Sequence, residues 1–203
     1  MNLSADNVIQ RYFQEHAPHW DARMPPNYGV LLYDFAARFT AEFRAANTML
    51  EIGTGTGSLI PVLNTLAPDS TIVSADLAYA MVVQAHKRSP DSRLLQADAH
   101  DLPLASVAFD LVVCHNSFPH FTDKPRALNE IQRILRPGGK LMILHNNSRE
   151  VVNAIHKRAG APIDRDLVPT EEEMRHLLLN TGWAAIEVDD APTHYVARGQ
   201  RNR

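Results

Sequence analysis

The residues best suited to chemistry lie in the segment 51–58, where Gly53, Gly55 and Gly57 alternate with threonines after a carboxylate, Glu51. Glycines let the backbone turn tightly and approach a ligand, and the N–H groups at the start of a helix attract an anion. The segment has neither the G-x-G-x-x-G spacing of a dinucleotide-binding loop nor the Gly-Lys-Ser/Thr of a Walker A loop. A carboxylate directly before the glycines favours a ligand with a positive charge over a pyrophosphate.

Two aspartates follow at the ends of later apolar segments. Asp76 ends a predicted strand over 71–76, a position from which a carboxylate binds the hydroxyls of a ribose. Asp98 ends a predicted strand over 93–98 and could accept a hydrogen bond from an adenine amino group. Either aspartate alone is equally well explained as a turn or helix cap. Three carboxylates at successive strand ends beside a glycine loop predict one site for a ribose, an adenine and a cationic amino-acid group, which together describe S-adenosylmethionine.

Four of the 10 histidines are placed to reach the same site. His115 and His120 follow a predicted strand over 109–114, His145 ends the next strand, and His156 lies in the helix after it. Three explanations stay open: structural hydrogen-bonding groups, a general base whose imidazole has a pKa near 6.5, or a metal site. No H-x-x-x-H or H-E-x-x-H spacing favours a metal, and none is predicted.

The elements that must position these residues alternate along the chain. Strands are predicted over 49–52, 71–76, 93–98, 109–114, 140–144, 184–188 and 194–197, and helices over 58–66, 78–87, 125–135, 149–158 and 170–180. Apolar strands joined by helices are typical of a parallel sheet covered on both faces. The last two strands are close enough in sequence to pair antiparallel. The sequence therefore predicts an α/β fold, a doubly wound, Rossmann-like and mostly parallel sheet of seven strands.

Two helices are predicted before the sheet. The first covers 4–16, and the second is marked by apolar residues at every fourth position, which are Leu31, Phe35, Phe39 and Phe43. The two prolines in the segment 19–27 exclude regular structure there, and the Pro-Gly-Gly at 137–139 predicts a turn into the fifth strand.

Composition narrows the class of protein. The chain has 203 residues, a formal net charge of −3 and 45% hydrophobic residues, which indicate one globular domain over 1–203. The single cysteine, Cys114, excludes a disulfide framework, and charged residues interrupt every apolar stretch before it could span a membrane. The start has neither a basic segment nor an apolar one typical of export. We expect a cytoplasmic monomer or homodimer with no nucleic-acid or membrane partner.

The motifs resemble those of class I S-adenosylmethionine-dependent methyltransferases, in the small-molecule branch similar to the ubiquinone/menaquinone enzymes. The matching blocks, in the order expected for the family, are 50–57, Asp76 with Met81, Asp98 with 102–103, 109–113 and 135–141. The start, with Tyr12, Trp20 and Asp21, is similar to the entry segment of that branch. The chain lacks an Asn-Pro-Pro-Tyr-type motif after the fourth strand, which argues against methylation of amino groups in nucleic acid or protein amides.

The resemblance implies methyl transfer from S-adenosyl-L-methionine to a small-molecule acceptor by in-line displacement. It implies a cofactor site made of Tyr12, Trp20, Glu51, Gly53, Thr54, Gly55, Gly57, Asp76, Leu77, Met81, Asp98, Ala99 and His115. The candidate catalytic residues are His115, His120 and His145. Two other functions stay open: a nicotinamide-dependent oxidoreductase, which the glycine spacing disfavours, and a non-catalytic regulatory subunit that binds the cofactor.

The resemblance also implies that three parts of the domain have different roles. Residues 1–27 form a lid over the cofactor, 45–145 form the cofactor-binding core, and 146–170 form the acceptor side. The acceptor is expected to enter between the lid and the acceptor side, where charged residues are available for recognition, namely Arg149, Arg158, Arg165 and Asp166.

Overall fold

The computed structural model describes residues 5–202, so residues 1–4 of the predicted lid and of its helix, together with Arg203, lie outside the described part. The strands are β1 (Thr48–Ile52), β2 (Thr71–Asp76), β3 (Arg93–Gln96), β4 (Phe109–His115), β5 (Leu135–His145), β6 (Trp183–Ala191) and β7 (His194–Arg201). The helices are α1 (Ala5–His16), α2 (Tyr28–Ala36), α3 (Thr40–Arg44), α4 (Ile60–Leu66), α5 (Tyr79–Arg88), α6 (Lys124–Ile134), α7 (Arg149–Ala159) and α8 (Glu171–Asn180). Within 5–202, none of these helices has the length and apolar character needed to cross a membrane.

The seven strands form one sheet in the order β3-β2-β1-β4-β5-β7-β6. Strands β1 to β5 run parallel to one another, while β7 runs antiparallel to both β5 and β6. The predicted doubly wound α/β fold is confirmed, including the antiparallel last pair. The chain leaves β1 towards β2 on one side and later returns to β4 on the other. Ligands bind outside the carboxyl ends of the strands at such a switch point.

Both faces of the central strands are buried. Leu50 and Val112 pack into the hydrophobic cluster on one face, which also contains residues of α6 and α8. Met49 and Leu111 pack into the cluster on the other face, with residues of α2, α3 and α4. Because alternate side chains of a strand point to opposite faces, covering both faces requires nearly continuous apolar strands. This burial makes β1 and β4 a rigid support for the loops that follow them.

The helix predicted around residues 31–43 is interrupted. A 3₁₀ turn at Ala37–Phe39 separates α2 from α3, and the Thr40 hydroxyl donates a hydrogen bond to the carbonyl of Ala37 at 2.7 Å. The core-facing role predicted for Leu31 is wrong, because 45% of its surface is exposed while Leu32 is fully buried. Apolar residues at every fourth position drift around a helix of 3.6 residues per turn, so they cannot all face one core.

Four other predicted boundaries also change. The glycine loop keeps Ser58 outside the helix, so α4 begins at Ile60, and β3 ends at Gln96 with Asp98 beyond it. The segment 137–139 lies inside β5, where a shift of register between β4 and β5 accommodates it in place of a turn. A short 3₁₀ turn at Asp21–Arg23 forms in the segment predicted to be irregular, because the prolines lie after it.

Candidate functional site

The glycine loop joins β1 to α4 and adopts positive φ angles of +79° at Gly53, +55° at Gly55 and +79° at Gly57. A Cβ on Gly53 would lie 2.2 Å from the Cβ of Ser117, and a Cβ on Gly57 would lie 3.0 Å from the Cα of Ala85. A Cβ on Gly55 would meet no described atom within 4 Å. Packing therefore requires glycine at the first and third positions, whereas Gly55 borders open space that a ligand could occupy.

Glu51 lies beneath this loop with 2% of its surface exposed. Its Oε2 accepts hydrogen bonds from the hydroxyls of Thr54 at 2.9 Å and Ser74 at 2.7 Å. Burial raises the pKa of Glu51 to about 7, although both hydrogen bonds act in the opposite direction. Glu51 and Thr54 thus fasten the loop to β2, and their predicted contact with a cationic ligand group stays a prediction.

Asp76 connects the loop to the start of α5. Its Oδ2 accepts the N–H of Gly55 at 2.8 Å, and its Oδ1 accepts the N–H of Ala78 at 2.9 Å. Burial raises the pKa of Asp76 to about 6 against these two hydrogen bonds. Because a carboxylate oxygen accepts about two hydrogen bonds, each oxygen keeps capacity for a further donor such as a ribose hydroxyl. The carbonyl of the next residue, Leu77, accepts a hydrogen bond from Gln10 Nε2 at 3.0 Å.

Asp98 follows β3 at the same edge of the sheet and has a partner that the sequence did not indicate. Its Oδ1 accepts hydrogen bonds from the N–H of His100 at 2.9 Å and from His100 Nδ1 at 2.5 Å. Because His100 Nε2 accepts the N–H of Asp123 at 3.1 Å, the ring proton belongs on Nδ1. His100 therefore orients Asp98, while the neighbouring Ala99 is buried in the core.

The N-terminal segment lies against the start of α5, as a lid over the predicted cofactor site would. The rings of Phe13 and Trp20 pack in one cluster with Ala78 and the buried Met81. The two rings meet edge to face at a centroid distance of 5.5 Å. The sequence singled out Trp20 but missed Phe13, whose position on the inner face of α1 becomes evident only once α1 is placed against α5.

A polar contact fastens the same segment to the glycine loop. The Thr56 hydroxyl donates to Asp21 Oδ1 at 2.6 Å, and Asp21 Oδ2 forms an ion pair with Arg88 of α5. Arg88 Nε also donates to the carbonyl of Thr56 at 3.0 Å. Asp21 therefore links the N-terminal segment, the loop and α5, a role that no local sequence pattern reveals.

The predicted catalytic histidines differ in their surroundings. Burial lowers the pKa of His115 to about 4, and its Nε2 lies 3.3 Å from Asn146 Oδ1. His145 has 1% of its surface exposed, and both ring nitrogens are buried without a partner among residues 5–202. Burial lowers the pKa of His145 well below its usual value, and the nearby His115, His120 and His156 act in the same direction. Both His115 and His145 are therefore neutral at pH 7.

His120 differs from them because it has an ionic partner. Its Nδ1 lies 2.8 Å from Asp166 Oδ2, and its ring meets Phe13 edge to face at a centroid distance of 4.9 Å. The ring of His156 lies 4.8 Å from that of His120. His156 Nδ1 hydrogen-bonds the backbone carbonyl of Asp166. The three predicted histidines and His156 thus come together, but in the described part of the chain no group of three or more His, Cys, Asp or Glu side chains is arranged to hold a metal ion.

Tyr12 contacts other residues of the N-terminal segment, and its predicted contact with the cofactor stays a prediction. Its ring lies 4.2 Å from that of His16, and its hydroxyl is 3.5 Å from an Arg23 nitrogen. With Arg158 it lines an open pocket of about 640 Å³ between α1 and the end of α7, where the acceptor is expected to enter. Of the other charged residues considered for recognition, Arg149 is held by Asp190 and Glu150, Asp166 contacts His120, and Arg165 does not line the pocket.

A family model described as a methyltransferase domain matches residues 50–143. A demethylmenaquinone methyltransferase of Thermus thermophilus is 39% identical over 138 residues, which are 65% of this chain and 63% of that protein. A ubiquinone/menaquinone biosynthesis C-methyltransferase of Shewanella frigidimarina is 26% identical over 203 residues, which cover 84% of this chain and 80% of that protein. For a demethylmenaquinone methyltransferase of Thermotoga maritima the match covers 42% of its length, so the chain spans less than two thirds of several curated relatives.

Solved structures share the fold over nearly the whole chain. A phosphoethanolamine N-methyltransferase 2 of Haemonchus contortus, in complex with phosphomonomethylethanolamine and S-adenosylhomocysteine, has a TM-score of 0.74 at 16% identity. That match covers 100% of this chain and 61% of the other. A SAM-dependent methyltransferase of Aquifex aeolicus has a TM-score of 0.68 at 19% identity and covers 92% and 96%. At these identities the likeness shows the fold alone.

Proposed function

We propose that this chain, whose residues 50–143 belong to the class I S-adenosylmethionine-dependent methyltransferases, binds S-adenosylmethionine and transfers its methyl group to a small-molecule acceptor. The observation that carries the proposal is the pairing of Gly55 with Asp76. A buried carboxylate is held directly beside the one loop glycine that borders open space. The names of the curated relatives, which include demethylmenaquinone methyltransferases, support a small molecule as the acceptor. A cytoplasmic monomer or homodimer remains our expectation.

The residues present fit the cofactor. Asp76 offers carboxylate oxygens for ribose hydroxyls, and Asp98, oriented by His100, offers one for the adenine amino group. Gly55 leaves room for the methionine part, beside the carboxyl group of Glu51. When bound, S-adenosylmethionine supplies a methyl group on a positively charged sulfur, which a nucleophilic atom displaces in line. Holding that atom aligned and close would account for most of the catalysis.

Among the three predicted catalytic histidines, His120 is the one we assign as general base for an acceptor that arrives protonated. The carboxylate of Asp166 at Nδ1 fixes the tautomer that leaves Nε2 to accept a proton, and it stabilises the imidazolium that results. His115 and His145 are poorer bases because burial disfavours their charged forms. Asp166 would act through His120 as a positioning residue.

The cofactor assignment is tested by calorimetric titration with S-adenosylmethionine, S-adenosylhomocysteine and NAD. We expect the first two to bind and NAD not to bind. Gly55→Val should abolish binding because its side chain would fill the open space beside Asp76. Gly160→Val is the matched control, since Gly160 also has a positive φ (+77°) and no described atom within 4 Å of a Cβ, but lies at the end of α7. Normal binding by Gly55→Val, or binding of NAD alone, would refute the assignment.

The base assignment is tested by turnover against pH once an acceptor is known. His120→Ala should lower turnover by about 10²–10⁴-fold with unchanged cofactor affinity, and the loss should shrink at high pH as the acceptor deprotonates itself. Asp166→Asn should give a smaller loss, because the amide would no longer hold the His120 ring in one tautomer. An unchanged pH profile in both variants would show that His120 is not the general base. Catalysis would then be attributed to the alignment of the acceptor with the methyl group.

A further inference from the structure

The open pocket beside the predicted cofactor site combines an apolar surface with positive charge. Its volume of about 640 Å³ is within the range of roughly 300–1,000 Å³ usual for small-molecule sites. Its apolar lining comes from Val8 and Tyr12 of α1, Ile155 of α7, and Ala161 and Pro162 after α7. Such walls suit an apolar or aromatic body.

The charges around the pocket are unbalanced. Its described lining contains three arginines and one carboxylate, namely Arg11, Arg23, Arg158 and Glu15. The guanidinium of Arg23 lies over the Trp20 ring at 5.4 Å. Within residues 5–202, neither Arg11 nor Arg158 makes a hydrogen bond or ion pair with another described side chain. The pocket therefore presents two cations that no described side chain neutralises.

The pocket is also next to the residues assigned to the reaction. Its lining residues Tyr12 and Ile155 are the chain neighbours of Phe13 and His156, whose rings both contact the ring of His120. The pocket lining is thus adjacent, along α1 and α7, to the two side chains that contact His120. Arg23, which also lines the pocket, contacts the ring of Trp20 in the predicted lid.

We propose that the acceptor is an apolar or aromatic molecule carrying a carboxylate, and that Arg11 and Arg158 hold this carboxylate while the apolar walls hold its body. Guanidinium groups bind carboxylates through two parallel hydrogen bonds, which fix the direction of a ligand as well as its position. The assignment rests on the proposed function and specifies the chemical class of its acceptor. A neutral acceptor would leave the excess positive charge without a counterpart.

A matched pair of probes, 2-naphthoate and 2-naphthamide, tests the proposal by calorimetry or fluorescence without cofactor or turnover. The carboxylate should bind about tenfold more tightly than the neutral amide at low salt, and the preference should decrease at high salt. Arg11→Gln and Arg158→Gln should each reduce the preference by about three- to fivefold. Glu15→Gln should increase it, because the variant removes the one opposing charge.

Arg93→Gln is the matched control, because Arg93 is an exposed arginine on the edge strand β3 and should leave the preference unchanged. Equal binding of the two probes, no saturable binding of either, or an equal loss in Arg93→Gln would overturn the proposal. Titration with S-adenosylhomocysteine on the same samples tests the proposed cofactor site separately from the proposed acceptor class. Cofactor binding without carboxylate preference refutes the acceptor class alone. The reverse result refutes the methyltransferase assignment and leaves a carboxylate site whose ligand is not a methyl acceptor.

Discussion

Replacing Glu51 by glutamine should make the stability of this protein depend steeply on pH. Burial disfavours protonation of two histidines in the folded protein: the pKa of His115 is lowered to about 4, and that of His145 lies well below 6.5. As the pH falls below 6.5, the unfolded chain therefore binds protons that the folded chain does not. These two groups reduce the free energy of unfolding on acidification.

Two buried carboxyl groups act in the opposite direction. The pKa of Glu51 is raised from 4.5 to about 7, and that of Asp76 from 3.8 to about 6. Below these raised values the folded chain holds protons that the unfolded chain has already released, so the two groups increase the free energy of unfolding on acidification. Each fully active group contributes about 1.4 kcal/mol per pH unit. Near pH 5.5 the two pairs nearly cancel, so the pH dependence that remains in the parent protein comes mainly from His156, whose pKa burial also lowers.

In Glu51→Gln one opposing carboxyl is gone, while the side-chain oxygen still accepts the hydroxyls of Thr54 and Ser74. The free energy of unfolding should then fall by about 1.4 kcal/mol more per pH unit than in the parent between pH 6 and 5. Urea unfolding at closely spaced pH values measures this slope, with the exposed Glu172→Gln of α8 as control. His115→Asn should change the slope in the opposite direction. A Glu51→Gln slope equal to that of the parent would refute the reasoning.

Two further predictions concern the fastening of the glycine loop. Gly53→Ala should lower the free energy of unfolding by about 2–5 kcal/mol, because the new Cβ would overlap Ser117 and the φ of Gly53 is positive. Adding Ser117→Gly should recover about 1–3 kcal/mol in urea unfolding. Strictly additive effects of the two substitutions would contradict the clash. Asp21→Ala should weaken S-adenosylhomocysteine binding by about three- to tenfold, because it removes the bond from Thr56. The exposed Asp34→Ala should leave that affinity unchanged, and equal affinities in the two variants would exclude the link.

The sequence was sufficient for the features that depend on local pattern. Apolar runs separated by helical periodicity predicted all seven strands. The placement of Asp76 and Asp98 at neighbouring strand ends followed from the parallel order alone. Each of these inferences uses residues that lie within one element or at the end of one.

The features that the sequence could not supply depend on residues far apart in the chain. Gly53 is required by Ser117, 64 positions later, and Asp98 is oriented by a histidine that also bonds the backbone of Asp123. The break between α2 and α3, and with it the exposure of Leu31, depends on how those helices pack on the sheet. Residue types and their spacing along the chain do not indicate such contacts.

The residues proposed to act on the acceptor lie mostly outside the region that the family model matches. Residues 50–143 contain the glycine loop, both aspartates at the strand ends and His120. The orienting carboxylate of Asp166, the lid contact of Asp21 and the pocket arginines Arg11 and Arg158 all lie before or after that region. On our proposals, the groups that bind the cofactor therefore lie mainly in the matched region, whereas most groups that select the acceptor lie in the segments that flank it. Relatives that share the core should accordingly be compared at α1 and α7 before a common acceptor is assumed.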